Sequence, residues 1–380
     1  MPPARSETGD PFLLTPGPLT TSASVKRAMV RDWGSRDATF MRINREVLDA
    51  IVEIAGARAT HVAVGVQGSG TFAVEAMLTN FVPRDGKVAL VVNGAYGHRA
   101  KRICEIAGRA HVVLETPEDT GPDLAALEAV LAGDPALTHV FVVHCETTSG
   151  ILNPVAAIAA LVAKAGRRLL IDAMSAFGAI AIDAASVKFD ALAASSNKCL
   201  EGVPGLGFVL ARRDALLATR GNATTLSLDL LDQFLAMEKT GQWRFTPPIQ
   251  AIAALHQAIL EYRAEGGQPG RLARYAGNCR ILVDGMRALG FETLLADALQ
   301  APIIVTFRMP ADPKFVFQRF YDGLKERGYV IYPGKLTVAD SFRIGCIGRL
   351  DASHMRGALG AVRELLAELG VTRCAPAAAA

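Results

Sequence analysis

Three short segments carry residues whose types and spacing suit chemistry on a primary amine or a carbonyl. The first is Ala193-Ala194-Ser195-Ser196-Asn197-Lys198-Cys199, followed by Gly202-Val203-Pro204-Gly205-Leu206-Gly207. A lone lysine after a small-residue strand and before a Gly/Pro-rich turn does not lie on a solvated helical face. In an apolar, partly desolvated slot its pKa falls and it becomes an amine nucleophile toward an aldehyde. The second is Asp172, which ends the apolar run Arg168-Leu169-Leu170-Ile171, 26 residues before the lysine (198 minus 172). The nearest basic residues, Arg167 and Arg168, stand at the other end of that run, so the carboxylate must find a partner elsewhere or bear a desolvation cost. It reads either as the cap of a turn or as a carboxylate facing the ring nitrogen of an electron-withdrawing cofactor. The third is Gln67-Gly68-Ser69-Gly70-Thr71. A small-residue turn of this kind is either structural or an anion cup built from amides and hydroxyls at a helix N-terminus. It lacks the lysine of a P-loop and the spacing of GxGxxG, which disfavours a nucleotide.

Positioning these segments together requires a scaffold that gathers strand ends. From residue 60 to about 213, short β-branched runs alternate with Ala/Leu-rich helical patterns. Strands are predicted over 60–66, 87–93, 111–115, 138–144, 168–174, 191–196 and 207–213, with helices over 71–81, 98–107, 123–132 and 155–165. Such alternation predicts a mostly parallel sheet covered on both faces. The later strands follow one another closely, which predicts a mixed sheet there. In open α/β sheets ligands gather at the carboxyl ends of strands, and all three segments fall at such ends. After Glu265-Gly266-Gly267 a compact α+β unit follows: helices over 271–289, 314–327 and 352–369, strands over 302–308, 329–332 and 341–345. The expected division is an N-terminal segment 1–24 contributing to the site, a large domain 25–265, a small C-terminal domain 266–371 and a disordered tail 372–380.

Composition narrows the function class. Forty Lys+Arg against 37 Asp+Glu give a net charge of +3, and no basic block forms a phosphate-backbone footprint, so nucleic acid is not expected as a partner. Apolar runs such as Val155–Ala163 stop well short of the roughly 18 residues of a membrane span. With a polar N-terminus lacking an apolar signal core, a cytoplasmic protein without membrane association is expected. Six cysteines without CxxC spacing and seven histidines without HExxH spacing argue against a metal site or a disulfide framework. Cys145 and Cys199 read as small packing residues, His144 as a residue orienting the site through hydrogen bonds, and Lys335 as a surface residue near the entrance.

Taken together, LLTPGPLTTS (13–22), DWGSRD (32–37), QGSGTFAVEA (67–76), VPRDGK (82–87), NGAYG (93–97), HCETTSGILNP (144–154), IDAMSAFG (171–178), NKCLEGVPGLGFV (197–209), TGQWRFTPP (240–248), IYPGKLT (331–337) and FRIGCIG (342–348) resemble the class V aminotransferases of pyridoxal phosphate (PLP) fold type I. The segments occur in order over nearly the whole chain. The resemblance implies pyridoxal 5′-phosphate as cofactor and an α/β fold with a large PLP-binding domain and a smaller C-terminal α+β domain. Lys198 is similar to the Schiff-base lysine and proton shuttle, and Asp172 to the partner of the pyridinium. Ser69, Gly70 and Thr71 resemble the phosphate cup, Thr147 the residue bonding the ring hydroxyl, and Tyr96 a flat residue beside the ring. Thr246 resembles a phosphate contact made from the other subunit, which implies a homodimer with shared sites. Arg343 resembles the arginine that receives the substrate's anionic group. The implied donor is 2-aminoethylphosphonate and the implied acceptor pyruvate, with alanine, serine or glyoxylate transamination as the alternative. Arg36 and the Ile249-Gln250 pair depart from the pattern, at places suited to tuning the substrate pocket.

Overall fold

The computed structural model describes residues 3–336 and 339–377; Thr337, the last residue of the IYPGKLT segment, lies outside them. Among the described residues a seven-stranded sheet runs in the order His61–Gln67, Leu206–Arg212, Ala191–Ser195, Arg168–Asp172, Leu137–Val143, Lys87–Val92, Ala110–Glu115. Its central strands are buried along nearly their whole length, the pattern of a sheet covered on both faces. Alternate residues feed opposite cores. Val91, Val142, Ile171 and Leu192 pack into one cluster, while Leu90, Phe141, Leu170 and Ala191 pack into another. This is the period of two expected of a pleated strand.

Six strands are parallel, and Leu206–Arg212 runs antiparallel to both neighbours. The mixed character read from the sequence is thus located. The connection from Ser195 to Leu206 is too short for a parallel crossover, which takes about a dozen residues or more. The helix Ala38–Ile54, capped by the Asp37 carboxylate on Thr39 N, was absent from the sequence-predicted elements. Its apolar stripe packs on the first cluster. No helix among the described residues is long and apolar enough to cross a membrane.

Beyond residue 266, the helices Gly267–Ala288, Phe317–Glu326 and Ala352–Leu369 pack with an antiparallel sheet ordered Ile304–Arg308, Ser341–Gly345, Tyr332–Pro333. The single strand predicted over 329–332 is in fact two. Tyr329–Val330 pairs in parallel with Phe12–Leu13, and Tyr332–Pro333 pairs with Ser341–Gly345. Pro333 lacks an N–H to donate, which suits the edge position it takes. The tail also differs from expectation. Asp312 Oδ2 accepts the amides of Thr372 and Arg373 at 2.9 and 3.2 Å, and Ala311 N donates to Ala375 O. Val371 and Cys374 are buried beside this anchor, so the segment is held at least as far as Ala375. Residues 378–380 lie outside the described residues.

Candidate active site

The carboxyl ends of four parallel strands open onto one cleft of about 690 Å³. His61–Gln67 leads through Gly68 and Ser69 into the helix Gly70–Phe81, with Ser69 at the N-cap position and its side chain making no bond to the helix. A Cβ on Gly70 would sit 2.2 Å from Met174 Sδ, so the start of this helix packs directly on the turn after Asp172. Leu137–Val143 leads to the hairpin that carries Thr147, Arg168–Asp172 ends on Asp172, and Ala191–Ser195 ends just before Lys198. Ser69, Gly70, Thr71, Tyr96, Thr147, Asp172 and Lys198 line this one cleft.

The lysine and the aspartate are both electrostatically stressed. Lys198 Nζ donates to Pro16 O at 2.6 Å. Desolvation pushes its pKa down to about 8, with Cys199 and Asp172 opposing. Asp172 is buried, and its Oδ1 accepts Met174 N at 2.9 Å. Desolvation raises its pKa to about 6; the Met174 bond opposes this and Glu146 adds to it. Asp172 thus closes a turn onto Met174 N and lines the cleft. Cys145 and Cys199 are buried thiols, the latter pushed up to about 12 by desolvation, and they stay protonated.

Arg343 lies beside the cleft, tethered to it through the main chain. Its Nη1 donates to Thr147 O at 2.8 Å and its Nε to Pro333 O at 3.1 Å. Thr246 does not reach the cleft of its own chain. It is exposed and lines a separate apolar groove of about 950 Å³ with Phe72, Trp243 and Phe245. Arg36 and Gln250 are also exposed, away from the cleft lining. His144 follows the strand Leu137–Val143. Its main chain bonds Asp172 O and Asn153 N, but its buried Nδ1 has no partner, and desolvation lowers its pKa to about 4. Burial thus favours the neutral ring.

Three contributors escaped the sequence reading. Arg99 lines the cleft, donates to Thr71 Oγ1 at 3.0 Å and stacks 4.7 Å from the Tyr96 ring centroid. Its signal was the i, i+3 spacing from Tyr96 on one helix face. Glu146 is fully buried; Oε1 accepts from Thr148 N and Oγ1, and Oε2 from Tyr96 N and Gly97 N. It caps the helix Ala95–Ile106 from a neighbouring hairpin and so fixes where Tyr96 stands. Pro16 O had no signal at all, being a main-chain atom 182 positions from Lys198. Lys335 is exposed, with Nζ 5.5 Å from the Tyr96 ring centroid.

The family profile described as Aminotransferase class-V matches residues 20–312. This chain belongs to the class-V aminotransferases. It is similar, at 54% identity over 371 residues covering 98% of each chain, to a Cupriavidus necator protein named 2-aminoethylphosphonate–pyruvate transaminase. A Pseudomonas aeruginosa protein of the same name is 54% identical over 361 residues, covering 95% of this chain and 97% of the relative. Among solved structures, pyridoxamine-pyruvate aminotransferase from Mesorhizobium loti superposes with a TM-score of 0.86 at 25% identity, over 96% of this chain and 94% of that one. The fold is that of PLP fold type I aminotransferases, and the cofactor of this aminotransferase is pyridoxal 5′-phosphate. The residues present fit that group. Ser69 makes no side-chain cap bond, so its hydroxyl stands at the helix N-terminus, where a phosphate is favoured. Among the described residues Asp172 is a buried carboxylate without a cationic hydrogen-bond partner, and Ser195 Oγ at the cleft is buried without a partner. Lys198 lines the same cleft with an amine of lowered pKa.

Proposed function

We propose that this class-V aminotransferase moves the amino group of 2-aminoethylphosphonate to pyruvate, giving phosphonoacetaldehyde and L-alanine. The observation that carries this reading is a half-covered Lys198 facing a buried Asp172 in one cleft, in a chain 54% identical to relatives of that name. When bound, pyridoxal phosphate supplies an aldehyde that accepts the amino group and a ring that withdraws electrons from the carbon losing its proton. Lys198 is assigned the amine that holds the cofactor and then, at Nζ, the base that carries the proton. Asp172 is assigned to the ring nitrogen. A cation placed there would stabilise the ionised carboxylate that burial disfavours. Ser69, Gly70 and Thr71 take the phosphate, Thr147 the ring hydroxyl, and Tyr96 flanks the ring.

Arg343 is assigned the anionic end of each substrate, phosphonate in one half-reaction and carboxylate in the other. With Nη1 and Nε already tied to carbonyls, its guanidinium is held in place and offers its remaining donors to the anion. On this reading Thr246 serves the cofactor phosphate of a second copy in a homodimer. The test is stopped-flow loss of the cofactor's visible absorption with 2-aminoethylphosphonate, alanine, serine and taurine in turn. Fast conversion by the phosphonate is expected; preference for serine or taurine with negligible phosphonate turnover would overturn the substrate. Arg343→Ala should weaken both half-reactions, each by roughly 2–5 kcal/mol. Arg343→Lys should recover only part of this, because an ammonium cannot keep both carbonyl tethers and still present a fork.

A further inference from the structure

The chain leaves Lys198 through a turn closed by Glu201, whose φ of 59° lies in the left-handed region that non-glycine residues rarely adopt. Glu201 N donates to Lys198 O at 2.8 Å, so the lysine and the glutamate are the two ends of one turn. The side chain is 4% exposed. Its Oε1 accepts from the Tyr275 hydroxyl at 2.6 Å and from Arg274 Nη2 at 2.7 Å, and Arg271 Nη1 stands 3.5 Å away. Arg271 Nη1 also donates to Cys199 O, inside the same turn, and both arginines are braced from behind by Glu265.

The same two donors reach the other half of the site. Arg274 Nη1 donates to Gly348 O and Leu350 O, and the Tyr275 hydroxyl accepts Gly348 N at 3.2 Å. Gly348 and Leu350 lie just past the strand Ser341–Gly345, which carries Arg343. A buried ion network is a poor source of stability, because desolvating its charges offsets their attraction; in some systems it serves instead to specify one arrangement. Here the arrangement specified is that of the lysine turn relative to the segment following the arginine strand.

We propose that Glu201 is a positioning residue which, through Arg274 and Tyr275, locks the Lys198 turn to the chain beyond Arg343 and so sets the amine's reach from the anion-holding guanidinium. The proposal rests on the assignment of Lys198 as the cofactor lysine and extends it to residues outside the cleft. Two near-isosteric variants test it, Glu201→Gln and Tyr275→Phe; the second deletes one hydroxyl and keeps the packing, so it decides the matter should the first not fold. In the apoprotein, the pH at which Lys198 is half-labelled by formaldehyde and borohydride is read by peptide mass spectrometry. In the holoenzyme, kcat and KM are measured for both substrates.

Both variants should raise the labelling midpoint, because a loosened turn admits water to the amine. They should lower kcat/KM about 10- to 100-fold, the scale of a small misplacement of reacting groups, with KM rising for both anionic substrates. A lowered Tm with unchanged labelling midpoint and unchanged KM values overturns the proposal, as does either change without the other. Failure of the wild type to fix its cofactor on Lys198 would overturn both this proposal and the assignment beneath it. That failure would be seen before any variant is made.

Discussion

Lys198 and Asp172 are held in protonation states that burial works against, and this sets testable behaviour at the residue scale. The Asp172 carboxyl is raised from 3.8 to about 6 by desolvation. Its folded pKa lies above the unfolded one, so ionised Asp172 costs the apoprotein stability. The cost is absent below about pH 4, grows as pH rises toward 6 and is complete above it, on the order of 3 kcal/mol. Asp172→Asn, which can keep the bond from Met174 N, should therefore melt higher than wild type at pH 7–8, with the gain vanishing toward pH 4. A thermal melt series of the two apoproteins reads this directly, and no gain at neutral pH would contradict the buried-carboxylate account. Lys198, lowered to about 8, should take up cofactor at a rate that rises with pH and levels off above about 8. An unperturbed lysine would level off near 10.4. Borohydride should fix the cofactor on the peptide containing residues 197–199. Lys198→Ala should abolish that labelling and cut transamination by several orders of magnitude.

At the scale of elements, the N-terminal segment reaches Lys198. Phe12–Leu13 pairs with Tyr329–Val330, Gly345 N donates to Leu14 O, and Arg349 N donates to Thr20 O. The segment is thereby laid along the C-terminal sheet and brings Pro16 O onto Lys198 Nζ. Gly17 has φ +122, and a Cβ there would stand 2.7 Å from Lys198 Cδ and 2.8 Å from Nζ. Gly17→Ala should slow cofactor capture about tenfold or more, since the lysine must leave its position to make room. Gly9→Ala is the control. Its φ of +81 strains the backbone similarly, but its Cβ would meet nothing within 4 Å, so capture should match wild type. Equal effects at both glycines would mean that general strain, and not contact with Lys198, governs the rate.

For the whole molecule, the open question is what covers the groove beside the cup helix. Phe72 and Phe245 are exposed there, with Thr246 among them, an apolar surface of the kind that contact regions use. If a second copy brings its Thr246 to this chain's phosphate cup, Thr246→Ala should bind cofactor less tightly. Mixing Lys198→Ala with Thr246→Ala subunits should then restore one intact site per heterodimer. Activity and cofactor affinity in verified heterodimers are the measurements; no recovery would mean that Thr246 does not serve a neighbouring copy's cofactor.

Residue type and local spacing determined much of this protein. The strand-end positions of Asp172 and Lys198, the small-residue turn at Ser69–Thr71 and the strand–helix alternation are local properties, because period and punctuation are written within a dozen residues. Tertiary structure alone decided the rest. Tyr329–Val330 pairs with Phe12–Leu13 while Tyr332–Pro333 takes the edge beside Ser341–Gly345. The tail was docked by an aspartate 60 positions earlier. Arg99 meets Thr71, Glu146 caps the Tyr96 helix and Glu201 gathers Arg274 and Tyr275 across 73 and 74 positions. Such pairings are set by packing and by the need to satisfy buried polar groups between distant segments, a constraint that exists only once the chain has folded.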